Sequence, residues 1–172
     1  MIEILRLNSN RIRQRINELA LILHDCVGNG ASVGFMNPFD LREASKFYED
    51  TATRCETGEL VFFAAIFEGK AVGTVQLVPS QKPNQPHRAD LVKMLVHSKY
   101  RRLGIGKKLL ESVDFEAKQR GITLITLDTA AGSDAERLYI RAGYQKAGTI
   151  PDYALWPDGG YCDTTYYYKR IG

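Results

Sequence analysis

RADLVKMLVHSKYRRLGIGKKLL, residues 88–110, determines the fold because a strand, a glycine-containing loop and a helix follow one another within it. The apolar run from Ala89 to Val96 lacks glycine and proline and predicts a strand. A polar, basic turn covers His97 to Leu103. From Gly104 onward, apolar residues recur at helical spacing and predict a helix.

The loop in this stretch has the features of a phosphate-binding site. Gly104 and Gly106 lack the side chains that would hold a ligand away from the backbone, so several N–H groups can converge on an anion at the positive end of the helix. Four basic residues surround this point: Arg101, Arg102, Lys107 and Lys108. The pattern predicts a phosphate-bearing ligand, for which a diphosphate is the natural size.

The spacing argues against two common nucleotide motifs. A P-loop has more residues between its glycines and then Lys-Ser or Lys-Thr, whereas Lys107 is followed here by another lysine. A dinucleotide fingerprint has a third glycine where this chain has Leu109. What remains, Arg101-x-x-Gly104-x-Gly106, resembles the acetyl-coenzyme A loop of the GNAT acyltransferase superfamily. The alternative for the loop alone is an ordinary strand-to-helix turn with solvated arginines.

Composition and charge are those of one globular domain, residues 1–172. No apolar run approaches the length of a membrane span, and the first residues lack the pattern of a signal peptide. Three cysteines, far apart and without metal-site spacing, predict neither a disulfide framework nor a metal site, and fit a cytoplasmic protein. The net charge of +3 is slight, so a small anionic ligand explains the basic loop better than nucleic acid does.

The rest of the chain predicts helices packed on one mixed sheet. Before the organising stretch we expect a strand at Ile2–Leu7, a helix from residue 9 to about Gly28, a helix capped by Asp40, and a hairpin of strands 60–67 and 71–78. After it we expect a buried parallel strand at 122–127, a helix capped by Ser133, and strands that begin at Tyr144 and Thr164. Residues 151–161 read as an irregular loop between the last two strands.

The resulting order, β-α-α-β-β-β-α-β-α-β-β, resembles the GNAT fold, an α/β fold with a mixed sheet, over nearly its full length. The segment AERLYIRAGY, residues 135–144, resembles the second signature of that superfamily. Shorter segments resemble tabtoxin-resistance acetyltransferases: residues 30–36, 81–84, 127–129, 131–133 and 157–159. The resemblance implies an N-acetyltransferase that uses acetyl-CoA to acetylate a small β-lactam amino-acid toxin, an activity of the antibiotic-resistance type.

The resemblance also implies where acetyl-CoA binds. In the GNAT fold the organising strand splays from its neighbour near a bulge, so the N–H of Leu95 or Val96 is the expected donor to the thioester oxygen. The expected coenzyme-binding residues are Leu95, Val96, Arg101, Arg102, Leu103, Gly104, Ile105, Gly106 and Lys107.

Two carboxylates are candidates for the general base. Alternation places Asp90 on the same strand face as Val92, Met94 and Val96, where a carboxylate is costly without a purpose. Asp128 follows the parallel neighbour strand, and ligands in open α/β sheets favour strand carboxyl ends. Either acid helps to deprotonate the amine, directly or through water, or else serves only as a cap or hydrogen-bond partner.

Tyr139 matches the helix tyrosine of the superfamily, which implies a general acid that protonates the departing thiolate; the alternative is a packing role. His87 and His97 lie outside the apolar strand and are expected at the surface. Cys162 has no neighbouring pattern of His and acid, so direct transfer in a ternary complex is favoured over a covalent acetyl-enzyme.

The acceptor is expected to lie between the loop of residues 30–36 and the loop of residues 151–161. Candidate contacts are Phe35, Tyr153 and Trp156, with Asp90 and Asp128 near the ammonium group and Lys82 or Arg88 near a carboxylate. Two other functions stay open: acetylation of a protein N-terminus, a lysine or a polyamine, and a non-catalytic CoA-binding regulatory module. The resemblance also allows a homodimer, and neither nucleic acid nor a membrane is an expected partner.

Overall fold

The computed structural model describes residues 1–172 and contains one seven-stranded sheet with helices on both faces. The elements are β1 (Ile2–Leu7), α1 (Ser9–Gln14), α2 (Ile16–Gly28), α3 (Leu41–Glu56), β2 (Val61–Phe67), β3 (Lys70–Pro79), β4 (Arg88–Val96), α4 (Ile105–Gln119), β5 (Leu124–Ala130), α5 (Asp134–Arg141), β6 (Gln145–Leu155) and β7 (Tyr161–Arg170). The strands lie in the order β1-β2-β3-β4-β5-β7-β6, and only β4 and β5 are parallel. The predicted mixed α/β sheet is confirmed.

Each face of the sheet has its own hydrophobic core. The first core lies under α4 and α5 and contains Leu109 and Phe63. The second lies under α1, α2 and α3 and contains Leu23, Tyr48 and Phe62. Because adjacent residues of β2 enter opposite cores, the central strands are apolar on both sides. No helix of the chain is both long and apolar enough to cross a bilayer.

The first predicted helix is two helices, separated at Arg15. The backbone of Arg15 has φ −111° and ψ 12°, outside helical geometry. Its guanidinium donates to the Gly69 carbonyl at 3.2 Å and to Glu18 at 2.8 Å, and Glu18 in turn accepts from the Ala71 amide. The helix therefore breaks where Arg15 contacts the distant β2–β3 turn. Buried apolar residues, such as Ile12 in α1 and Leu19 in α2, occur on both sides of the break.

The C-terminal strands differ in extent from the prediction. β5 begins at Leu124 and continues to Ala130, so Asp128 lies inside the strand instead of beyond its end. Residues 151–155, predicted as loop, belong to β6, which pairs with β7 as far as Leu155 opposite Tyr161. β6 is an edge strand with an irregular register after Ile150, which is where a sheet tolerates proline.

β4 contains a bulge at Lys93. Its register with β3 shifts between the pairs Thr74–Leu95 and Gln76–Val92, so one strand carries an extra residue. Lys93 itself has φ 51°, in the left-handed region. The superfamily resemblance implied a bulge in this strand, and the structure locates it at Lys93.

The bulge changes which side chains share a face. Met94 and Val96 pack against the first core, whereas Leu95 belongs to the second. The prediction that Asp90 shares a face with Met94 and Val96 is therefore wrong, because one inserted residue reverses the alternation beyond it. Asp90 faces the α3 side of the sheet.

β4 and β5 pair only over a short distance. Their register runs from Arg88–Leu124 to Asp90–Thr126 and then stops. Beyond that point β4 stays paired with β3 and β5 with β7, so the two parallel strands separate toward their carboxyl ends. The resulting gap in the middle of the sheet positions the candidate site.

Candidate active site

The backbone of Val96 faces the gap between β4 and β5. Val96 lies opposite Gly73, and the next amide, of His97, donates to the Val72 carbonyl at 3.0 Å. In an antiparallel ladder this pattern marks a non-hydrogen-bonded pair, whose own N–H and C=O point away from the partner strand. Of the two predicted main-chain positions, Val96 therefore presents its polar groups to the gap. The side chain of Leu95 is buried in the second core.

Unpaired backbone amides line the loop at the start of α4. No backbone carbonyl and no capping side chain accepts from the amides of residues 102–107. Gly104, the N-cap residue, has φ 79°, and Arg102 has φ 65°, a conformation that is strained for a residue with a side chain. Successive N–H groups in such a loop form an anion-binding concavity at the positive end of the helix dipole. These donors fit a diphosphate.

The two glycines of the loop serve different purposes. A Cβ at Gly104 would meet nothing within 4 Å, so its left-handed backbone is what requires glycine. A Cβ at Gly106 would lie 2.6 Å from Leu138 Cδ2 and 2.9 Å from Met94 Cε. Gly106 therefore lets α4 approach α5 and β4 closely, a packing reason that the sequence did not reveal.

The basic side chains of this loop are not equivalent. Arg101 donates from Nε to the Val96 carbonyl at 3.1 Å and lies 3.9 Å from Cys26 Sγ, so it extends along β4. Lys107 is exposed and pairs only with Glu111, at 3.7 Å. Arg101 therefore contacts the main-chain edge of the gap, while Lys107 is free to move.

A cleft of about 500 Å³ opens on the α3 side of the sheet, where β4 and β5 separate. Its polar lining comes from α3 and from four neighbouring strands: Arg54, Gln76, Asp90, Lys93, Thr126, Asp128 and Tyr166. Phe47 on α3 and Val78 and Val92 on the sheet supply apolar walls. The cleft combines the few polar groups and apolar surfaces typical of small-molecule sites.

Asp90 is already occupied by hydrogen bonds. Its Oδ1 atom accepts from the Arg88 guanidinium and from the Thr126 hydroxyl, and its side chain is 41% exposed. Arg88 is therefore committed to Asp90, and its predicted role as a separate cation for a substrate carboxylate is not supported by this geometry. The carboxylate of Asp90 therefore already has two partners within the chain.

Asp128 lies in the same cleft without such partners. No other side chain forms an ion pair or a hydrogen bond with it; the residue is exposed to solvent, while protein atoms of the cleft surround its carboxyl group. Burial raises the pKa of Asp128, the nearby charge of Lys93 opposes this shift, and the charge of Asp90 adds to it. Asp128 is the cleft carboxylate that is free to accept a proton.

Lys93 was missed by the sequence prediction. The bulge carries its side chain to the α3 side, where Nζ donates to the Val33 carbonyl at 2.7 Å and lies 5.6 Å from the Phe35 ring centre and 5.7 Å from that of Phe47. Burial lowers the pKa of Lys93, and the charge of Asp128 partly offsets this effect. A lysine inside an otherwise apolar strand was the available signal in the sequence.

Tyr139 lies in the first core, on the other side of the sheet from the cleft. Its ring packs against Tyr144 and Tyr167, with centroids 5.7 and 6.4 Å away, and the residue is 5% exposed. Burial raises the pKa of Tyr139, and the negative charge of Asp128 raises it further. The phenol is therefore protonated at neutral pH, the form that a general acid needs.

The two loops predicted to border the acceptor lie against each other. The Asn37 amide donates to the Pro157 carbonyl at 2.9 Å, and Ser32 Oγ donates to the Leu155 carbonyl at 2.9 Å. The Tyr153 hydroxyl lies 2.7 Å from that of Tyr166, which lines the cleft. Phe35 and Tyr153 thus adjoin the cleft wall.

Several other candidates lie away from the cleft. Trp156, at the tip of the β6–β7 hairpin, and Lys82, on the exposed loop before β4, do not line it. His97 lies near Asp25, with 3.7 Å between Nδ1 and Oδ2. Cys162 is buried and donates to the Asp163 carbonyl. None of these residues contributes a reactive group to the cleft.

A split parallel strand pair, free amides at a helix start and a cleft that contains two carboxylates are features expected of an acyltransferase with a phosphate-bearing donor. The model of the acetyltransferase (GNAT) family matches residues 32–144. The chain belongs to this family, for which acetyl-CoA is the typical acetyl donor.

Among sequence relatives, the probable N-acetyltransferase camello of Xenopus tropicalis is 34% identical over 109 residues, covering 63% of this chain and 46% of that protein. Human N-acetyltransferase 8 is 32% identical over 111 residues, with the same coverage. The matched region thus spans about half the length of these relatives. They support the superfamily, and the tabtoxin-resistance branch stays a prediction.

Solved structures share the fold over the whole chain. An N-acetyltransferase from Staphylococcus aureus Mu50 has a TM-score of 0.83 at 19% identity and covers 100% of this chain and 99% of its own. The yncA protein from Salmonella typhimurium, solved with its cofactor acetyl-CoA, has a TM-score of 0.80 at 17% identity. The match covers 99% of this chain and 94% of the yncA chain. At these identities the likeness concerns the fold.

Proposed function

We propose that this protein transfers the acetyl group of acetyl-CoA to the primary amine of a small molecule. The proposal rests on one observation: the free loop amides and an unpaired carboxylate lie near the same gap in the sheet. The free amides of residues 102–107 lie at one end of the gap, and the unpaired Asp128 lies in the cleft beside it.

The loop and the gap are suited to the donor. Amides of residues 102–107 would hold the diphosphate, with the charges of Arg101, Arg102 and Lys107 close by. The backbone of Val96 would bind the pantetheine arm, and its N–H is the favoured donor to the acetyl oxygen, ahead of Leu95. Acetyl-CoA itself supplies an acetyl group activated as a thioester.

Asp128 is the proposed general base. A primary amine of pKa about 10 is mostly protonated at neutral pH, so a proton must leave before the nitrogen can attack. Asp128 has no competing partner, and burial makes its carboxylate more basic than usual. Asp90 is the alternative, but it would first have to give up its bond with Arg88 or act through water.

Tyr139 is the proposed general acid. Its hydroxyl is protonated at neutral pH, and burial shields it from competing water. The charge of Asp128 acts on Tyr139 although the two side chains belong to opposite faces of the sheet, which is consistent with a site that passes through the gap. In this scheme Asp128 takes the proton of the amine, and Tyr139 gives a proton to the leaving thiol.

For the acceptor we favour a small amino-acid-like amine, including a β-lactam amino-acid toxin. The cleft volume of about 500 Å³ suits a small molecule, and Ser32 and Asn37 connect the segment before α3 to the end of β6 near the cleft. Antibiotic or toxin resistance would then be the biological role. This step rests on the sequence resemblance together with the size of the cleft.

A thiol-release assay tests the proposal. Purified protein and acetyl-CoA would be incubated with free amino acids, β-lactam amino acids, polyamines and peptides, and the release of CoA would be followed. We expect turnover with small amines and a large loss in Asp128→Asn. Binding of CoA without turnover on any amine would contradict the proposal and favour a regulatory CoA-binding module.

A further inference from the structure

Two donors in the cleft, one buried and one partly buried, have unused hydrogen-bonding capacity. Gln76, on β3, is 1% exposed, and its Nε2 group has no acceptor in the chain. Lys93 carries three ammonium hydrogens, of which the Val33 carbonyl takes one. Both residues line the same cleft and come from adjacent strands. Because a buried donor without an acceptor is destabilising, these groups are arranged for a partner that enters the cleft.

Lys93 is the cleft cation that lacks a carboxylate partner. Arg54, at the α3 edge of the cleft, is paired with Glu59 at 3.2 Å, and Arg88 is paired with Asp90. Asp128 is near enough to influence Lys93, but no ion pair joins the two. Separate positive and negative groups thus face the same space without neutralising each other.

We propose that Lys93 and Gln76 bind an acidic group of the acceptor, so that the substrate is an amino acid or a similar small molecule with both an amine and a carboxylate. The proposal rests on the proposed function of the cleft. Lys93 gives a charge-assisted hydrogen bond to the carboxylate and Gln76 a neutral one, while Asp128 faces the amine. The apolar walls at Phe47 and Val78 would contact the side chain.

The same arrangement disfavours purely cationic acceptors. A polyamine in the cleft would leave the Gln76 donor unsatisfied and would bring a second positive charge close to Lys93. Repulsion and unpaired buried groups are a strong source of selectivity, because they act against the wrong ligand rather than for the right one. The cleft therefore selects zwitterions.

Matched substrate pairs test the proposal. Free L-amino acids and their α-amides would be compared by kcat/KM with acetyl-CoA present. For the amino acid that the wild-type protein acetylates best, we expect kcat/KM to be at least tenfold higher than for its α-amide. Lys93→Met should reduce this acid-to-amide ratio about 10- to 100-fold. Gln76→Leu should reduce it less. Lys82→Met, a lysine outside the cleft, is the control and should leave the ratio unchanged.

A binding measurement separates this proposal from the proposed function. Calorimetry of CoA-saturated protein with the same acids and amides reports recognition of the carboxylate even if no acetyl transfer occurs. Tighter binding of the acid, lost in Lys93→Met but kept in Lys82→Met, supports the inference. Equal binding of acid and amide by the wild-type protein overturns it, whatever the stability of the variants. Absence of turnover with every amine contradicts the proposed function instead.

Discussion

At the scale of single residues, the two carboxylates of the cleft lie in different environments. Asp90 is fixed by Arg88 and Thr126 and holds β4 and β5 together at the last residues where they pair. Asp128 lies two residues beyond Thr126 on β5, where the strands have already separated and no other side chain forms an ion pair or a hydrogen bond with it. The same residue type is thus structural in one position and available for chemistry in the other.

Replacing each aspartate by asparagine should separate these roles. Asp128→Asn should lower kcat/KM by about 10²- to 10⁴-fold, the usual contribution of a general base, with little change in stability. Asp90→Asn should lower the free energy of unfolding by up to about 1 kcal/mol, because Arg88 loses its charged partner at a site that solvent partly screens. Steady-state kinetics and urea unfolding measure the two effects. A larger loss of activity in Asp90→Asn would reverse the assignment.

The pH dependence should carry the signature of Asp128. Its pKa is raised by burial, so kcat/KM should increase with pH as this carboxyl loses its proton, at higher pH than for an ordinary aspartate. The positive charge of Lys93 lowers the pKa of Asp128, so Lys93→Met should move this acid limb to higher pH. A limb that stays in place in Asp128→Asn would show that another group titrates.

Tyr139→Phe removes a hydroxyl and keeps the packed ring. We expect kcat to fall by about 10²-fold or more, because the leaving thiolate loses its proton donor. Affinity for CoA, measured by calorimetry, should change little, since the ring contacts with Tyr144 and Tyr167 remain. Unchanged turnover would limit Tyr139 to a packing role.

At the scale of elements, helix α4 depends on both glycines of its first turn, for different reasons. Gly106→Ala should lower the free energy of unfolding by about 1 kcal/mol, because the new methyl group would overlap the ends of the Leu138 and Met94 side chains, which must shift. Gly104→Ala has free space around it but must adopt a left-handed backbone, which costs about 1–2 kcal/mol.

Urea unfolding with and without CoA distinguishes the two variants. Gly104→Ala should reduce the binding free energy of CoA by more than it reduces the free energy of unfolding, because the strained backbone lies among the amides that would bind the diphosphate. Gly106→Ala should chiefly lower stability. If both variants bound CoA as the wild type does, the loop would not be the diphosphate site.

Elements with strong local patterns were predictable from the sequence. The strand, loop and helix of residues 88–110 form as expected, and Asp40 caps α3 with a complete capping box that includes Glu43. Caps and amphipathic spacing act over a few residues, so the sequence displays them directly. The glycine-containing loop of residues 101–107 could be predicted for the same reason.

The remaining features depend on distant contacts. The bulge at Lys93 inserts a residue without any glycine or proline to mark it, and it reversed the expected face of every residue beyond it. The pairing of Arg88 with Asp90, the burial of Lys93 and the unpaired Gln76 depend on which strands adjoin β4. No local pattern encodes these neighbours, so the acceptor half of the site was not predictable.

At the scale of the whole molecule, the site exists because β4 and β5 each keep their other neighbour where they separate from one another, and a hydrophobic core packs against each face of the sheet. β4 is fixed to β3 and β5 to β7, so the gap between β4 and β5 is bordered by packed strands on each side. In the proposed scheme, the donor and acceptor sites lie on opposite sides of this gap, with Val96 between them. A bound donor should stabilise the fold by about 2.7 kcal/mol when its concentration is a hundred times its Kd.

The most direct test of this account is a crystal structure of the protein with CoA. It should show one molecule per chain, with its diphosphate on the amides of residues 102–107 and its sulfur in the gap between β4 and β5, near Tyr139 and Asp128. A coenzyme bound on another surface, or a sulfur outside the gap, would contradict the account.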